Sequence, residues 1–123
     1  MTNNQNPNRK FDLEERTTNF ARKVVKLCKS LPRNPMNDRI VGQVVGCSGS
    51  VGANYREAND SLGKKDFIMR MKIARKEAKE ASHWLILLAD ANPEREIQIK
   101  ELERESVEYK NILSSILNKV TEK

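Results

Sequence analysis

The stretch from Phe67 to Leu88 reads FIMRMKIARKEAKEASHWLILL and carries the most regular hydrophobic pattern in the chain. Its apolar positions are separated by four and three residues in alternation, the spacing that lines up side chains on one face of an α-helix. These positions are Phe67, Met71, Ala74, Ala78, Ala81, Leu85 and Leu88. Because alanine occupies the middle of this face, a neighbouring helix can approach it closely. The stretch therefore predicts a long amphipathic helix packed against other helices.

Three more segments repeat the same alternation. The first has Leu13, Thr17, Phe20, Val24, Leu27 and Leu31; the second has Val41, Val44, Ser48, Val51, Tyr55, Ala58 and Leu62; the last has Ile99, Leu102, Ser106, Tyr109, Leu113, Ile116 and Val120, widened by Ile112 and Leu117. Four segments with one period and short connections predict an all-α, antiparallel up-down-up-down four-helix bundle. A coiled-coil hairpin that dimerises is the alternative.

Capping and helix-breaking residues mark the expected boundaries. We expect the first helix to begin near Asp12 as N-cap and to end at about Leu31, before Pro32 and Pro35. The second helix is expected to begin at Asn37 or Asp38 and to stop at the DSLG sequence of residues 60–63. Pro93 is expected as the first residue of the fourth helix.

Length and composition favour one helical domain. The chain has 123 residues, of which 33% are charged and only 5% aromatic. We expect residues 1–10 to form a disordered polar tail and residues 11–123 to form the bundle domain. The start lacks the apolar region of a signal peptide, and no apolar run approaches the ~20 residues that span a bilayer. We therefore expect a cytoplasmic protein without a membrane partner.

A row of small residues runs along the second segment and consists of Gly42, Gly46, Gly49 and Ala53, with Gly52 close by. Each glycine inside a helix costs about 0.8–1 kcal/mol relative to alanine. We expect close approach of another backbone to offset this cost. The stretch lacks the lysine and Ser/Thr of a phosphate-binding loop, and no strands are evident that would fit an RNA-clamping GxxG loop.

Apolar residues outside the four predicted seams exceed what one small bundle easily hides. They are Val25, Ile40, Val45, Ile68, Ile73, Trp84, Ile86 and Ile97. Their number predicts self-association into a homo-oligomer.

Candidate catalytic and metal-binding residues are few. Cys28 and Cys47 have neither CxxC spacing nor neighbouring histidines, so buried free thiols are expected. Glu80 and His83 form half of the Glu-x-x-His motif of di-iron bundles, but the chain has a single histidine. We assign no metal ligand and no cofactor from the sequence, keep a metal-binding bundle as the remote alternative, and expect no enzymatic activity.

Three glutamates are candidates for acid-base chemistry or for ion pairs. They are Glu57, Glu77 and Glu80, and basic residues three or four positions away favour ion pairing.

Basic residues are arranged in two rows. On the first helix they are Arg22, Lys26, Lys29 and Arg33; on the third they are Lys65, Lys72, Lys76 and Lys79, with Arg75 adjacent. Residues 93–123 hold six basic and seven acidic residues, so the whole net charge of +6 arises from residues 1–92. Such rows can follow a phosphate backbone, although a solvated helix face and charge for solubility explain them too.

The second and third helices resemble a known family. The run SVGANYREA at residues 50–58, the KDF at 65–67 and the IAR at 73–75 are similar to the bacterial four-helix-bundle proteins encoded by intervening sequences in large-subunit ribosomal RNA genes. The resemblance covers about residues 11–120. Its matching positions are Asn54, Glu57, Phe67, Ala74, Arg75 and Glu80. The chain departs from the family at Ala58, where glycine is common, and at residues 76–77, where a Gly-Ser pair is common.

The resemblance implies a homopentameric barrel of four-helix bundles. It also implies relation to the accessory protein of diversity-generating retroelements, which binds nucleic acid and a reverse transcriptase. We therefore expect a non-enzymatic homo-oligomer that contacts RNA or DNA backbone through its basic helix faces, as an accessory to a nucleic-acid-processing partner. An oligomeric protein scaffold without a nucleic-acid role is the alternative.

Overall fold

A computed structural model describes residues 9–121, which form four α-helices and no strand. The helices are α1 (Arg9–Lys29), α2 (Pro35–Asn59), α3 (Lys64–Ala91) and α4 (Glu96–Thr121). Each helix contacts its neighbours in sequence, α1 also contacts α4, and α2–α3 is the most extensive contact. The backbones of the diagonal pairs, α1 with α3 and α2 with α4, stay farther apart, and only their side chains share the core. The prediction of an up-down-up-down four-helix bundle is confirmed.

The two predicted N-termini on the first half of the chain are wrong by two or three residues. Helix α2 begins at Pro35, and the Asn34 side chain accepts a hydrogen bond from the Asn37 backbone N–H. Proline suits the first position of a helix because its missing N–H has no partner there. Helix α1 begins at Arg9, so that Asp12 lies within its first turn instead of capping it.

The remaining boundaries lie close to the predictions. Helix α1 ends at Lys29, two residues before the predicted Leu31, and the break at residues 60–63 is confirmed. Pro93 opens a short 3-10 turn, Pro93–Arg95, that leads into α4. The predicted disordered tail falls mainly on residues 1–8, outside the described residues; Arg9 and Lys10 belong to α1.

The predicted seams form the core, apart from exposed Leu62 and a few half-buried residues near the helix ends. From Leu13 to Leu31 every seam residue of α1 is buried, and the α3 seam is buried from Met71 to Leu88. Leu62 is fully exposed because α2 ends at Asn59 and the leucine lies in the following turn. At the end of α4, Leu117 is buried whereas Val120 is only half-buried.

The predicted close approach of another helix to the glycines of α2 is found at one position only. A Cβ on Gly52 would lie 2.9 Å from Thr17 Oγ1 and 3.3 Å from Thr17 Cβ, so α1 and α2 approach closely there. Thr17 cannot move aside easily, because its hydroxyl donates to the carbonyl oxygens of Leu13 and Glu14. Gly42, Gly46 and Gly49 are exposed, with no atom within 4 Å of an added Cβ. For these three, no close approach by another part of residues 9–121 offsets the helix-propensity cost.

A pair of buried asparagines closes one end of the bundle. Asn37 and Asn92 exchange two amide hydrogen bonds of 3.0 and 2.9 Å, and each is about 2% exposed. The Asn37 amide also donates to the Pro32 carbonyl, and the Asn92 amide to the Leu88 carbonyl. These bonds tie the α1–α2 connection to the α3–α4 connection and satisfy polar groups that would otherwise be buried unpaired.

Helices α1 and α4 have the smallest contact of the four neighbouring pairs, and polar groups cross it. The Tyr109 hydroxyl lies 2.6 Å from Glu105 Oε2 and 3.1 Å from the Arg16 carbonyl oxygen, while the Tyr109 ring packs edge-on against Phe20. Lys23 Nζ lies 2.7 Å from Glu105 Oε1. Burial, followed by the neighbouring Glu105 carboxylate, raises the pKa of Tyr109.

Within residues 9–121, no helix is both long enough and apolar enough to cross a membrane.

Alanine substitution at two glycines of α2 should change stability in opposite directions. Gly52→Ala should lower the free energy of unfolding by about 1–3 kcal/mol, because the new methyl group meets Thr17. Gly42→Ala should raise it by about 0.8–1 kcal/mol, because that position is open and alanine favours the helix. Urea unfolding with the chain kept dilute and monomeric measures both. Equal effects of the two substitutions would contradict the observed packing.

Tyr109→Phe should change the response to alkaline pH. Because the folded state raises the pKa of Tyr109, its contribution to stability is complete below the ordinary tyrosine pKa of about 10 and is lost as pH rises above it. The wild-type protein should therefore lose more stability per pH unit above about pH 10 than Tyr109→Phe does. Urea unfolding over a pH series checks this, since the cysteines titrate in both proteins. Parallel pH curves would show that Tyr109 ionises freely in the folded state.

Candidate nucleic-acid interface

The basic row on α3 is exposed and unpaired. Lys65, Lys72, Lys76 and Lys79 all lie at the surface, and none forms an ion pair with another residue of the described chain. From Lys65 to Lys79 the row extends about 21 Å at a rise of about 1.5 Å per residue. The adjacent Arg75 is half-buried. The four lysines thus present free positive charge along more than half of α3.

The basic row of α1 is shorter than the sequence predicts. Arg22, Lys26 and Lys29 are exposed, and the Arg22 guanidinium donates to the Asn19 side chain. Arg33 lies beyond the end of α1, where its Nε and Nη2 donate to the two oxygens of Asp38 at 2.7 and 3.3 Å. The hydrogen bonds from Arg33 lower the pKa of Asp38. The charge of Arg33 is therefore largely compensated, and three residues remain in the α1 row.

The two rows do not form one surface. Helices α1 and α3 are diagonal in the bundle and their backbones do not approach each other closely, while each turns its apolar seam to the common core. Their exposed faces consequently point away from each other. One straight stretch of nucleic acid cannot lie on both rows of a single chain.

The residues of the family pattern are distributed between core and surface. Ala74 is buried and Phe67 is half-buried against the core, whereas Glu57 is exposed. Asn54 donates to the Ser50 carbonyl and accepts a 3.4 Å hydrogen bond from Arg70. Arg75 lies beside the α3 row, and Glu80 faces Cys47. The residues of the family pattern therefore do not converge on one site.

The glutamates are not in the predicted ion pairs. Within residues 9–121, none of Glu57, Glu77 and Glu80 lies within 4.0 Å of a basic group. Instead, Glu77 and Glu80 face the thiol of Cys47 across the α2–α3 interface, with Cys47 Sγ 3.7 Å from Glu80 Oε1. Burial, followed by the two carboxylates, raises the pKa of Cys47 to about 12. Spacing along the chain could not reveal this cluster, because Cys47 lies 30 residues before Glu77 and 33 before Glu80.

Both cysteines are free. Cys28 is only half-buried, although burial raises its pKa to about 11.

Five of the eight surplus apolar residues are accommodated at least partly within the bundle. Ile40, Val45, Ile68 and Trp84 pack against the core, and Ile73 is half-buried. Val25, Ile86 and Ile97 stay exposed, together with Met69. Val25 lies beside the α1 row and Met69 and Ile86 lie on α3, so basic and apolar residues share these two faces.

An open cleft of about 920 Å³ lies between α1 and α4 at the end where both approach the α2–α3 turn. Its walls mix apolar residues such as Leu13 and Ile116 with charged ones such as Asp12 and Lys119. No residue of either basic row lines it.

Comparison with known proteins gives the family. The sequence profile of the 23S rRNA-intervening sequence protein family matches residues 9–115. The chain belongs to this family. A solved structure from Bacteroides thetaiotaomicron VPI-5482, described as a protein of unknown function from the S23 ribosomal protein family, is 30% identical to it. That structure superposes with a TM-score of 0.76 over 89% of this chain and 97% of the other. No curated protein matches the sequence.

Membership in the 23S rRNA-intervening sequence protein family confirms the resemblance found at residues 50–58 and 65–75. The matched residues 9–115 agree closely with the expected extent of about residues 11–120. The family description names the genetic context of its members and assigns no activity.

Proposed function

We propose that this protein is a non-enzymatic, homo-oligomeric binding protein that contacts the backbone of RNA or DNA through its exposed basic rows. The observation that carries this proposal is the set of four unpaired lysines along α3. An ammonium group without an intramolecular carboxylate partner is available to a phosphate, and each such contact releases condensed counterions. The cytoplasm, where nucleic acids are accessible, is the proposed place of action.

The length of the α3 row suits a polyphosphate. At about 3.4 Å of axial rise per nucleotide of one strand, about 21 Å corresponds to roughly six steps. The chain has six aromatic residues, and Phe20, Tyr55 and Tyr109 are buried in the core. Stacking on bases is therefore a minor contribution, and recognition rests on the backbone.

Assembly turns separate rows into a larger surface. A single chain offers two rows on opposite sides, whereas several copies place equivalent α3 rows near one another and raise the effective concentration of each. The homopentameric barrel implied by the family resemblance is the proposed assembly. In this state the protein would act as an accessory that holds nucleic acid for a processing enzyme, such as a reverse transcriptase.

The proposed contact between copies is the glycine row of α2, comprising Gly42, Gly46, Gly49 and Ala53. All four residues are exposed, and no other element of the described part of the chain lies within 4 Å of a Cβ added to any of the three glycines. A helix of another copy can reach such a backbone closely, which would offset the helix-propensity cost that no contact within the chain offsets.

A protein-protein scaffold is the second candidate. The exposed apolar residues Val25, Met69 and Ile86 favour it, because they interrupt the basic faces with groups that suit a protein partner better than a phosphate backbone.

Reversing two charges in the α3 row should weaken nucleic-acid binding selectively. Lys72→Glu combined with Lys76→Glu should reduce the slope of log K against log salt by about two, because each lost phosphate contact removes about 0.9 for a duplex. Fluorescence anisotropy with a labelled RNA and a DNA duplex over a salt series measures the slope. The control, Arg104→Glu with Lys119→Glu on α4, makes the same change in net charge away from both rows. Equal slopes for both double variants would mean that net charge alone determines the salt dependence, and would refute a specific α3 interface.

Placing a larger side chain in the glycine row should disrupt self-association. Gly46→Gln places a long polar side chain on the proposed contact face, so the light-scattering mass should fall toward the 14.1 kDa of one chain. Gly63→Gln is the matched control, because Gly63 is also open but lies outside the row, before α3. If both variants keep the wild-type mass, the glycine row is not the contact; a monomeric wild-type protein would refute assembly itself.

A further inference from the structure

We propose that Cys47, Glu77 and Glu80 bind one zinc-type divalent transition-metal ion in each chain. Cys47 comes from α2 and the two glutamates from α3. The thiol sulfur and one carboxylate oxygen from each glutamate all lie within 4.8 Å of one another. A buried thiol and two carboxylates from two helices thus converge on one point of the most extensive helix contact.

The spacing fits coordination after small side-chain rotations. In a tetrahedral zinc site with Zn–S of about 2.3 Å and Zn–O of about 2.1 Å, the sulfur and oxygen ligands lie about 3.6 Å apart. The observed distance from Cys47 Sγ to Glu80 Oε1 is 3.7 Å. Three protein ligands leave a fourth position for water.

The charge of the cluster is uncompensated. Two carboxylates face a thiol that is only 6% exposed, and no basic side chain of residues 9–121 lies within ion-pair distance of either glutamate. The two carboxylates, which are partly exposed, repel each other at this separation, and a cation between them would relieve that repulsion. The basic neighbours Lys76 and Lys79 are exposed on α3 and do not reach the pair.

The donor set selects the class of metal. Thiolate sulfur favours zinc, cobalt and ferrous iron over magnesium and calcium, which take oxygen ligands in larger number. Two carboxylates are too few to hold magnesium or calcium in a dedicated site. Binding forms a metal–sulfur bond, and the thiol proton passes to solvent; no electron is transferred.

The site differs from the Glu-x-x-His half-motif in the sequence. His83 is not among the side chains whose ligand atoms converge with Glu80. Its ring packs edge-on against Trp84, with centroids 5.1 Å apart. The site needs residues of one chain only, and its existence is independent of the proposed nucleic-acid binding.

Cobalt provides the test because a thiolate ligand gives Co²⁺ a charge-transfer absorption in the near ultraviolet. We expect the chelator-treated, dialysed wild-type protein to bind one Co²⁺ per chain with this absorption, and zinc to displace it. Cys47→Ser should abolish the absorption. Cys28→Ser, which removes the other thiol of the chain, should leave it unchanged.

The affinity for zinc distinguishes the two glutamate ligands from nearby residues that do not bind the metal. Glu77→Gln and Glu80→Gln should each weaken zinc binding at least about tenfold in competition with a chromogenic chelator, since even residues outside the coordination shell contribute 10- to 100-fold. His83→Ala and Glu57→Gln should leave it unchanged. Circular dichroism and thermal melting without metal establish that each variant is folded, and Cys47→Ala serves as a second variant at the thiol position.

Several results would overturn the proposal. They are a wild-type Co²⁺ spectrum without a thiolate band, persistence of the band in folded Cys47→Ser, its loss in Cys28→Ser, and unchanged zinc affinity in both glutamate variants. Loss of binding in His83→Ala alone would instead assign the metal to the histidine. None of these results bears on the salt dependence of nucleic-acid binding, so the two proposals can fail separately.

Discussion

The close packing of α2 against α3 is the contact on which the other features depend. The inward face of α3 carries Ala74, Ala78 and Ala81, all fully buried, so that α2 approaches without large side chains between the two backbones. This packing fixes the rotation of both helices about their axes. It directs Cys47 toward Glu77 and Glu80, and it turns the lysines of α3 to the opposite, exposed side. The charge distribution is therefore a consequence of core packing.

Polar contacts join the parts of the bundle that have less apolar packing. At one end the buried Asn37–Asn92 pair joins the two connections, and along the α1–α4 seam Tyr109, Lys23 and Glu105 replace much of the apolar contact seen elsewhere. Some of the contacts on this side are ion pairs, which neutralise charge. The acidic side chains of α4 are partly neutralised by α1, and Arg33 pairs with Asp38, whereas the α3 row has no carboxylate partner within residues 9–121. The lysines of the α3 row are thus unpaired, whereas charged residues on the α1–α4 side form ion pairs.

The exposed faces of α2 and α3 carry the features that a single chain leaves unexplained. Gly42, Gly46 and Gly49 lower the helix propensity of α2 without a close contact in return, and Met69 and Ile86 stay in solvent beside lysines. Both observations favour the proposed assembly of several copies. The same exposure makes the glycine row and the α3 row experimentally separable, since one lies on α2 and the other on α3.

The sequence by itself determined the fold class, the four seams and the family. A single period in four segments leaves only a helical bundle as a way to bury them, and the motifs at residues 50–58 and 65–75 carried the family resemblance. Tertiary structure alone decided which glycine meets a neighbour, that the α1 and α3 rows lie on opposite sides, and that Cys47 faces two glutamates. Periodicity shows which face of a helix is buried. It does not show which helix lies against that face or at what height along it. Contacts between distant residues, such as Gly52 with Thr17 and Cys47 with Glu80, follow from that relative placement.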